Sequence, residues 1–295
     1  MKKKYLTGIL ISGIIVILTI TTICYYHINT NTNTTKTEEK PYTVSKTIAE
    51  IDKANYDTTY WWHATNSQLL EKLSSEATKY NDSQIQSIVN NSKEIPEELI
   101  RMAVMRPETI PYVAGYPTRK INEPINIESY YKKGEIPLFE QFDKQWGYDS
   151  YGDESLAISG CGPTSLAMVA IGLTGNTQIN PRVVANYSEK HGGYIKNKGS
   201  SWGLMDKLST HFGVKGTIIS SNQVIKSLKE GHPVIVSEGP GIFTLSGHFI
   251  VLSGITSDGK IKVNDPDSIK YSNKTWDFKD IEKSANAFWS FSKIN

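Results

Sequence analysis

Cysteine is almost missing from this chain, with only two among 295 residues. Cys24 ends an apolar stretch near the N-terminus and Cys161 lies far along the sequence. A disulfide needs its two Cα atoms within about 7 Å, which a residue at a membrane and one inside a folded body do not offer, so Cys161 reads as a free thiol. Excess charge is missing too. The net charge is +2, and no basic patch is interleaved with aromatics, which sets nucleic acid aside as a partner. No complete phosphate-binding sequence GxxxxGK[ST] occurs, because the near match from Gly254 to Lys260 is followed by Ile261. No further ligands gather near Cys161 or His248 in the sequence, so neither a metal nor another cofactor is expected.

Long apolar runs are absent with one exception. Residues 5–26, YLTGILISGIIVILTITTICYY, carry no charge and are long enough to cross about 30 Å of hydrocarbon. They show no small-residue cleavage pattern, and Ile23 stands where a lipoprotein signal would place a small residue. Residues 1–27 are therefore expected to be an uncleaved membrane anchor. Lys2, Lys3 and Lys4 stay on the cytoplasmic side, which puts the rest of the chain outside the membrane. Residues 28–43, with the stretch NTNTNTTKTEEK, have little to bury and read as a flexible stalk.

Residues 44–124 show a helical rhythm. Leu69, Leu70 and Leu73 follow Ser67; Ile85, Ile88 and Val89 follow Asp82; Leu99, Ile100 and Ala103 follow Pro96. A small helical domain is expected there, with Trp61, Trp62 and His63 in its core.

Residues 125–295 change character. A glycine turn leads to Cys161, Pro163 stands near the first helical position, and an apolar helix runs on to Gly175. Unpaired N–H groups and the positive end of the helix dipole at such a terminus favour a thiolate. A buried cysteine in a core helix is the plainer alternative. Upstream, residues 136–139 read as a short strand, and Gln141 follows as a possible amide donor to an oxyanion. Downstream come helices at 180–187, at 202–212 capped by Ser201, and at 223–230. Strands follow at 233–237, 248–255, 260–263 and 287–291, with Asp258-Gly259 as a hairpin turn. Helices first and an antiparallel sheet afterwards make the fold class α+β. His248 opens one strand, and the hairpin returns Asp265 to the same end of its neighbour. A carboxylate there can fix the imidazole tautomer, with Asn264 and Asp267 as less well placed alternatives.

In the order Gln141, Cys161, His248, Asp265 the chain resembles the papain-like cysteine peptidases. It is more closely similar to free-standing relatives of the bacteriocin-leader-processing, double-glycine peptidases. The stretches that carry the resemblance are IPLFEQFDKQWG, GCGPTSLAMVAIGLTG, SSWGLMDKL, GHFIVLSG and VNDPDS. The resemblance implies Cys161 as nucleophile, His248 as general base and acid, Asp265 as its orienting partner and Gln141 as oxyanion donor. Gly160, Trp202 and Gly247, within these stretches, are the candidate substrate-binding positions. The expected activity is hydrolysis of a peptide or protein substrate through an acyl-enzyme. Acyl transfer or amide hydrolysis on cell-wall peptides, or a silent peptide-binding module, are the alternatives. Transporter-linked members act in the cytoplasm, whereas this domain is expected outside, so a double-glycine leader is not carried over as substrate.

Overall fold

Apolar spacing and caps build the first part of the fold. The computed structural model describes residues 46–53 and 58–294; the expected anchor and stalk lie outside these. Among the described residues no helix is long and apolar enough to cross a membrane. Among the described residues six α-helices come first: α1 (Lys46–Lys53), α2 (Thr58–His63), α3 (Asn66–Tyr80), α4 (Ser83–Asn90), α5 (Glu97–Met105) and α6 (Ile110–Gly115). Helix α3 starts at a capping box in which Thr65 and Gln68 satisfy each other's backbone N–H groups, and Asp82 accepts from two N–H groups at the start of α4. Leu69, Leu73, Ile85, Ile88, Leu99 and Ile100 close on one another in a buried cluster. Phe142, Ala157 and Ile269 complete that cluster, so the helical segment packs directly on the later half of the chain.

The later half begins with a small hairpin, β1 (Ser150–Tyr151) and β2 (Glu154–Ser155), and one turn of helix, α7 (Leu156–Ser159). Then comes α8 (Cys161–Thr174), in which every residue from Gly162 to Ile171 is buried. A helix apolar on all sides belongs in the middle of a domain. Around it lie α9 (Pro181–Lys190), a second hairpin of β3 (Tyr194–Ile195) and β4 (Gly199–Ser200), and α10 (Gly203–Asp206). Gly162 lets that hairpin approach, since a Cβ there would come 2.2 Å from Ser200 Oγ.

The main sheet contains β5 (Val214–Ile219), β6 (Val234–Glu238), β7 (His248–Ile255), β8 (Ile261–Asn264), β9 (Thr275–Trp276) and β10 (Ala285–Lys293). Helix α11 (Ser221–Lys229) lies between β5 and β6 in sequence, and α12 (Ile269–Ser272) and α13 (Phe278–Glu282) flank β9. The spatial order is β5-β10-β6-β7-β8-β9, with each neighbouring pair antiparallel. Phe249, Val251 and Trp289 share a cluster with α8, while Ile250, Leu252 and Phe288 share one with α11 and α13. Both faces are therefore covered, which is why β6 and β7 read as continuous apolar runs rather than alternating ones. Burying each such side chain contributes roughly 1.5–3 kcal/mol.

Several expectations are corrected. Residues 136–139 form no strand: Pro137 has no N–H to offer, and the Asn264 amide takes the carbonyls of Ile136 and Pro137 at 3.0 and 2.9 Å. The helix expected at 202–212 is broken into α10 and a 3-10 turn, Leu208–Phe212, and Ser201 is not its cap. Strand β5 is an addition to the expected strands, and β10 lies inside the sheet between it and β6. Trp62 and His63 are not core: Trp62 is 40% exposed and His63 is exposed as well, while Trp61 is partly buried. Arg101 instead holds that turn from outside, donating to the carbonyls of Trp61, Trp62 and Ala64 at 2.8–3.0 Å.

Candidate active site

Cys161 is the first residue of α8, partly exposed, and Gly160 before it provides no side-chain cap. Pro163 falls third in the helix rather than first. Pro163 has no N–H and that of Thr164 donates to Gly160 O at 3.0 Å, so the N–H groups of Cys161 and Gly162 are left at this helix start, with no competing carboxylate in the first turn. Gly160 is buried behind the nucleophile position, where a Cβ would meet Leu156 O at 2.3 Å.

His248 opens β7 opposite Glu238 at the end of β6. Its Nε2 lies 2.7 Å from Asp265 Oδ1, and the ring lines the same cleft as Cys161. With Nε2 engaged by Asp265, Nδ1 is the ring atom left for the thiol. Burial works against a charge on this ring, but the charge and hydrogen bond of Asp265, together with Cys161, outweigh it and hold the His248 pKa well above its ordinary value. Asp265 follows the last residue of β8 and is 1% exposed. Its Oδ1 accepts a second hydrogen bond, from the Asp267 backbone N–H at 2.9 Å.

Gln141 is 3% exposed. Its Nε2 donates to Ala157 O at 2.7 Å and more weakly to Ile158 O at 3.5 Å, and its Oε1 has no partner. Its backbone N–H donates to Pro266 O at 2.7 Å, which ties this loop to the one after Asp265. Cys161, His248, Gln141 and Gly247 line one cleft of about 470 Å3. Its opposite wall includes Trp62, Met102, Met105 and Arg106 from the helical segment. Trp202 is not among the residues lining this cleft; it is 48% exposed and packs edge-on against Trp289 at 5.4 Å. A second cleft of about 500 Å3 shares Glu98, Glu154 and Ile158 with the first but holds none of Cys161, His248 and Asp265.

Residues 133–294 match the model of the Peptidase_C39 like family. The chain belongs to this family. It is accordingly a cysteine peptidase of α+β papain-like fold. Among solved structures, the peptidase domain of Streptococcus ComA, a bi-functional ABC transporter involved in a quorum-sensing pathway, is similar at 16% identity and a TM-score of 0.37. That match covers 46% of this chain and 93% of the other. Comparison with curated proteins finds no match. Among the described residues no group of His, Cys, Asp or Glu could hold a metal ion.

Glu238 is a site neighbour that sequence reasoning missed, although it is the one charged residue of β6. It is fully buried, Ser284 Oγ donates to its Oε2 at 2.8 Å, and its Oε1 has no partner. Burial pushes its pKa up to about 7, and burial with Asp143 nearby pushes that of Glu140 up to about 8. Between the ordinary carboxylate range and these values the folded protein holds protons that the unfolded chain has released. The stability these groups contribute is thus present at acid pH and lost as pH rises through about 7 for Glu238 and about 8 for Glu140. His248, with its raised pKa, acts in the same direction. The melting temperature is expected to fall between pH 5 and 8.5, with a shallower fall in Glu238→Gln. A Glu238→Gln protein with the parent's slope overturns the assignment.

Proposed function

We propose that the protein hydrolyses peptide bonds with Cys161 as nucleophile, His248 as acid and base, Asp265 as the partner that orients His248, and Gln141 as an oxyanion donor. The observation that carries this is the contact of His248 Nε2 with Asp265 at 2.7 Å, on a ring that lines the same cleft as Cys161. At neutral pH the raised His248 pKa favours imidazolium beside thiolate. The thiolate Sγ attacks the substrate carbonyl carbon, and the oxygen that gains charge is met by the Cys161 backbone N–H and the second Nε2–H of Gln141. His248 gives its proton to the departing amine as the C–N bond breaks, leaving an acyl-enzyme. Water then yields a proton to His248, attacks the thioester and restores Sγ as thiolate, releasing the acid product. Proteome-wide mapping of peptide termini in cells holding the parent or Cys161→Ala protein tests this. Termini generated by the parent alone are expected; identical sets overturn the reading.

The proposal extends to location. Residues 5–26 anchor the chain and the peptidase domain works on the extracytoplasmic side, a reading supported by the uncharged run and the lysines before it. A membrane-impermeant thiol reagent applied to intact cells is expected to label Cys161; labelling only after lysis overturns this topology.

A further inference from the structure

The family match begins at residue 133, yet the loop that carries Asp265 is held partly by residues that precede it. Asp265 Oδ1 receives two N–H groups, from His248 Nε2 at 2.7 Å and from the Asp267 backbone at 2.9 Å. Where residue 267 sits therefore decides how Asp265 meets the ring. The turn 265–268 lies beyond the end of β8 and is held by individual contacts instead of a strand ladder.

Two of those contacts come from the helical segment. Arg106, the residue that ends α5, pairs through its guanidinium with Asp267 Oδ2, and Ser268 Oγ donates to Glu108 Oε1 at 3.3 Å. Asp267 is only 8% exposed and its Oδ1 has no partner. A carboxylate so placed, deprived of its counter-ion, would either take up a proton or pull towards water. Either change would move the turn that supplies the backbone N–H to Asp265. Burial raises the Asp267 pKa and the Arg106 charge lowers it, in keeping with that dependence. The ionisable side chains that feel or exert a charge effect with His248 are Asp265, Cys161, Glu238 and Asp267.

We propose that Arg106 is a positioning residue of the peptidase: paired with Asp267, it fixes the 265–268 turn so that Asp265 holds the His248 ring against Cys161. The helical segment ahead of the family region is thereby part of the catalytic device and not only a spacer. This rests on the reading of Cys161, His248 and Asp265 given above.

The test uses the full chain and needs no substrate. Iodoacetamide alkylation is quantified on the Cys161-containing peptide at pH 6 and at pH 9.5. At the higher pH a free thiol, with its pKa of about 8.5, ionises unaided, so help from an imidazolium shows at pH 6. Arg106→Met is expected to react about tenfold more slowly than the parent at pH 6, the size of loss common for supporting partners, with rates converging at pH 9.5. Melting by circular dichroism must show a folded variant. Adding Asp267→Asn to Arg106→Met is expected to recover most of the pH 6 rate, because an amide needs no counter-ion and leaves the turn in place. A parental pH 6 rate in folded Arg106→Met, or no recovery in the double variant, overturns the proposal. If Arg106→Met does not fold, Arg106→Gln, which keeps a donor without the charge, carries the same comparison. Failure of the triad reading looks different: His248→Ala would then react as fast as the parent at pH 6.

Discussion

Cys161→Ala is expected to lower hydrolysis about 10⁶-fold while leaving the fold intact, since only one Sγ atom at a helix start is removed. His248→Ala is expected to cost about as much, because a nucleophile and its base act as one unit. The double variant should then lose no more than either single one. Kinetics on a peptide spanning a cleavage site found by terminus mapping provide the measurement. A double variant whose loss is the product of the two single losses would show that Cys161 and His248 do not share a step. Residual hydrolysis in both variants would come from binding and from the donors around the oxyanion, Gln141 Nε2 among them, which is committed by one strong bond to Ala157 O at 2.7 Å.

Asp265→Ala is the second large effect, about 10³- to 10⁴-fold in kcat, with little change in KM. It releases the His248 ring, and it also strands the Asp267 N–H that donates to the same carboxylate oxygen. Asp265→Asn should lose at least tenfold less. Two N–H donors converge on Oδ1, so an asparagine would keep its carbonyl oxygen there and go on orienting the ring. What it loses is charge. The Asp265 carboxylate raises the His248 pKa, so in Asp265→Asn the imidazolium gives up its proton at lower pH and the alkaline limb of the activity profile moves towards acid. An asparagine variant as poor as the alanine variant would mean that charge, and not orientation, is the contribution of Asp265.

How legible these groups were in the sequence differs from residue to residue. Cys161 was legible because its signals are local: a glycine turn, a proline in the first helical turn and a run of apolar or small residues behind them. The partnership of His248 with Asp265 was legible because one Asp-Gly turn folds β8 back along β7, a pairing of near neighbours. Strand β5 was not legible, since only β10, from the far end of the chain, pairs with it. Nor was the exposure of Trp62, which depends on how Arg101 grips the turn around it from 37–40 residues away.

Arg106 marks the same boundary. In sequence it is a basic residue just past a helix end, which ordinarily means a solvated side chain. Packing brings it to Asp267, and the Asp267 backbone to Asp265. Periodicity, helix-end chemistry and a tight hairpin made the fold class legible in the chain alone, together with the places of the proposed nucleophile and its two proposed partners. Packing alone brings distant groups to the proposed site, namely Glu238 opposite His248, the helical wall of the cleft and Arg106 on Asp267. Contacts between residues far apart in the chain leave no local pattern: their geometry is set by how whole elements pack.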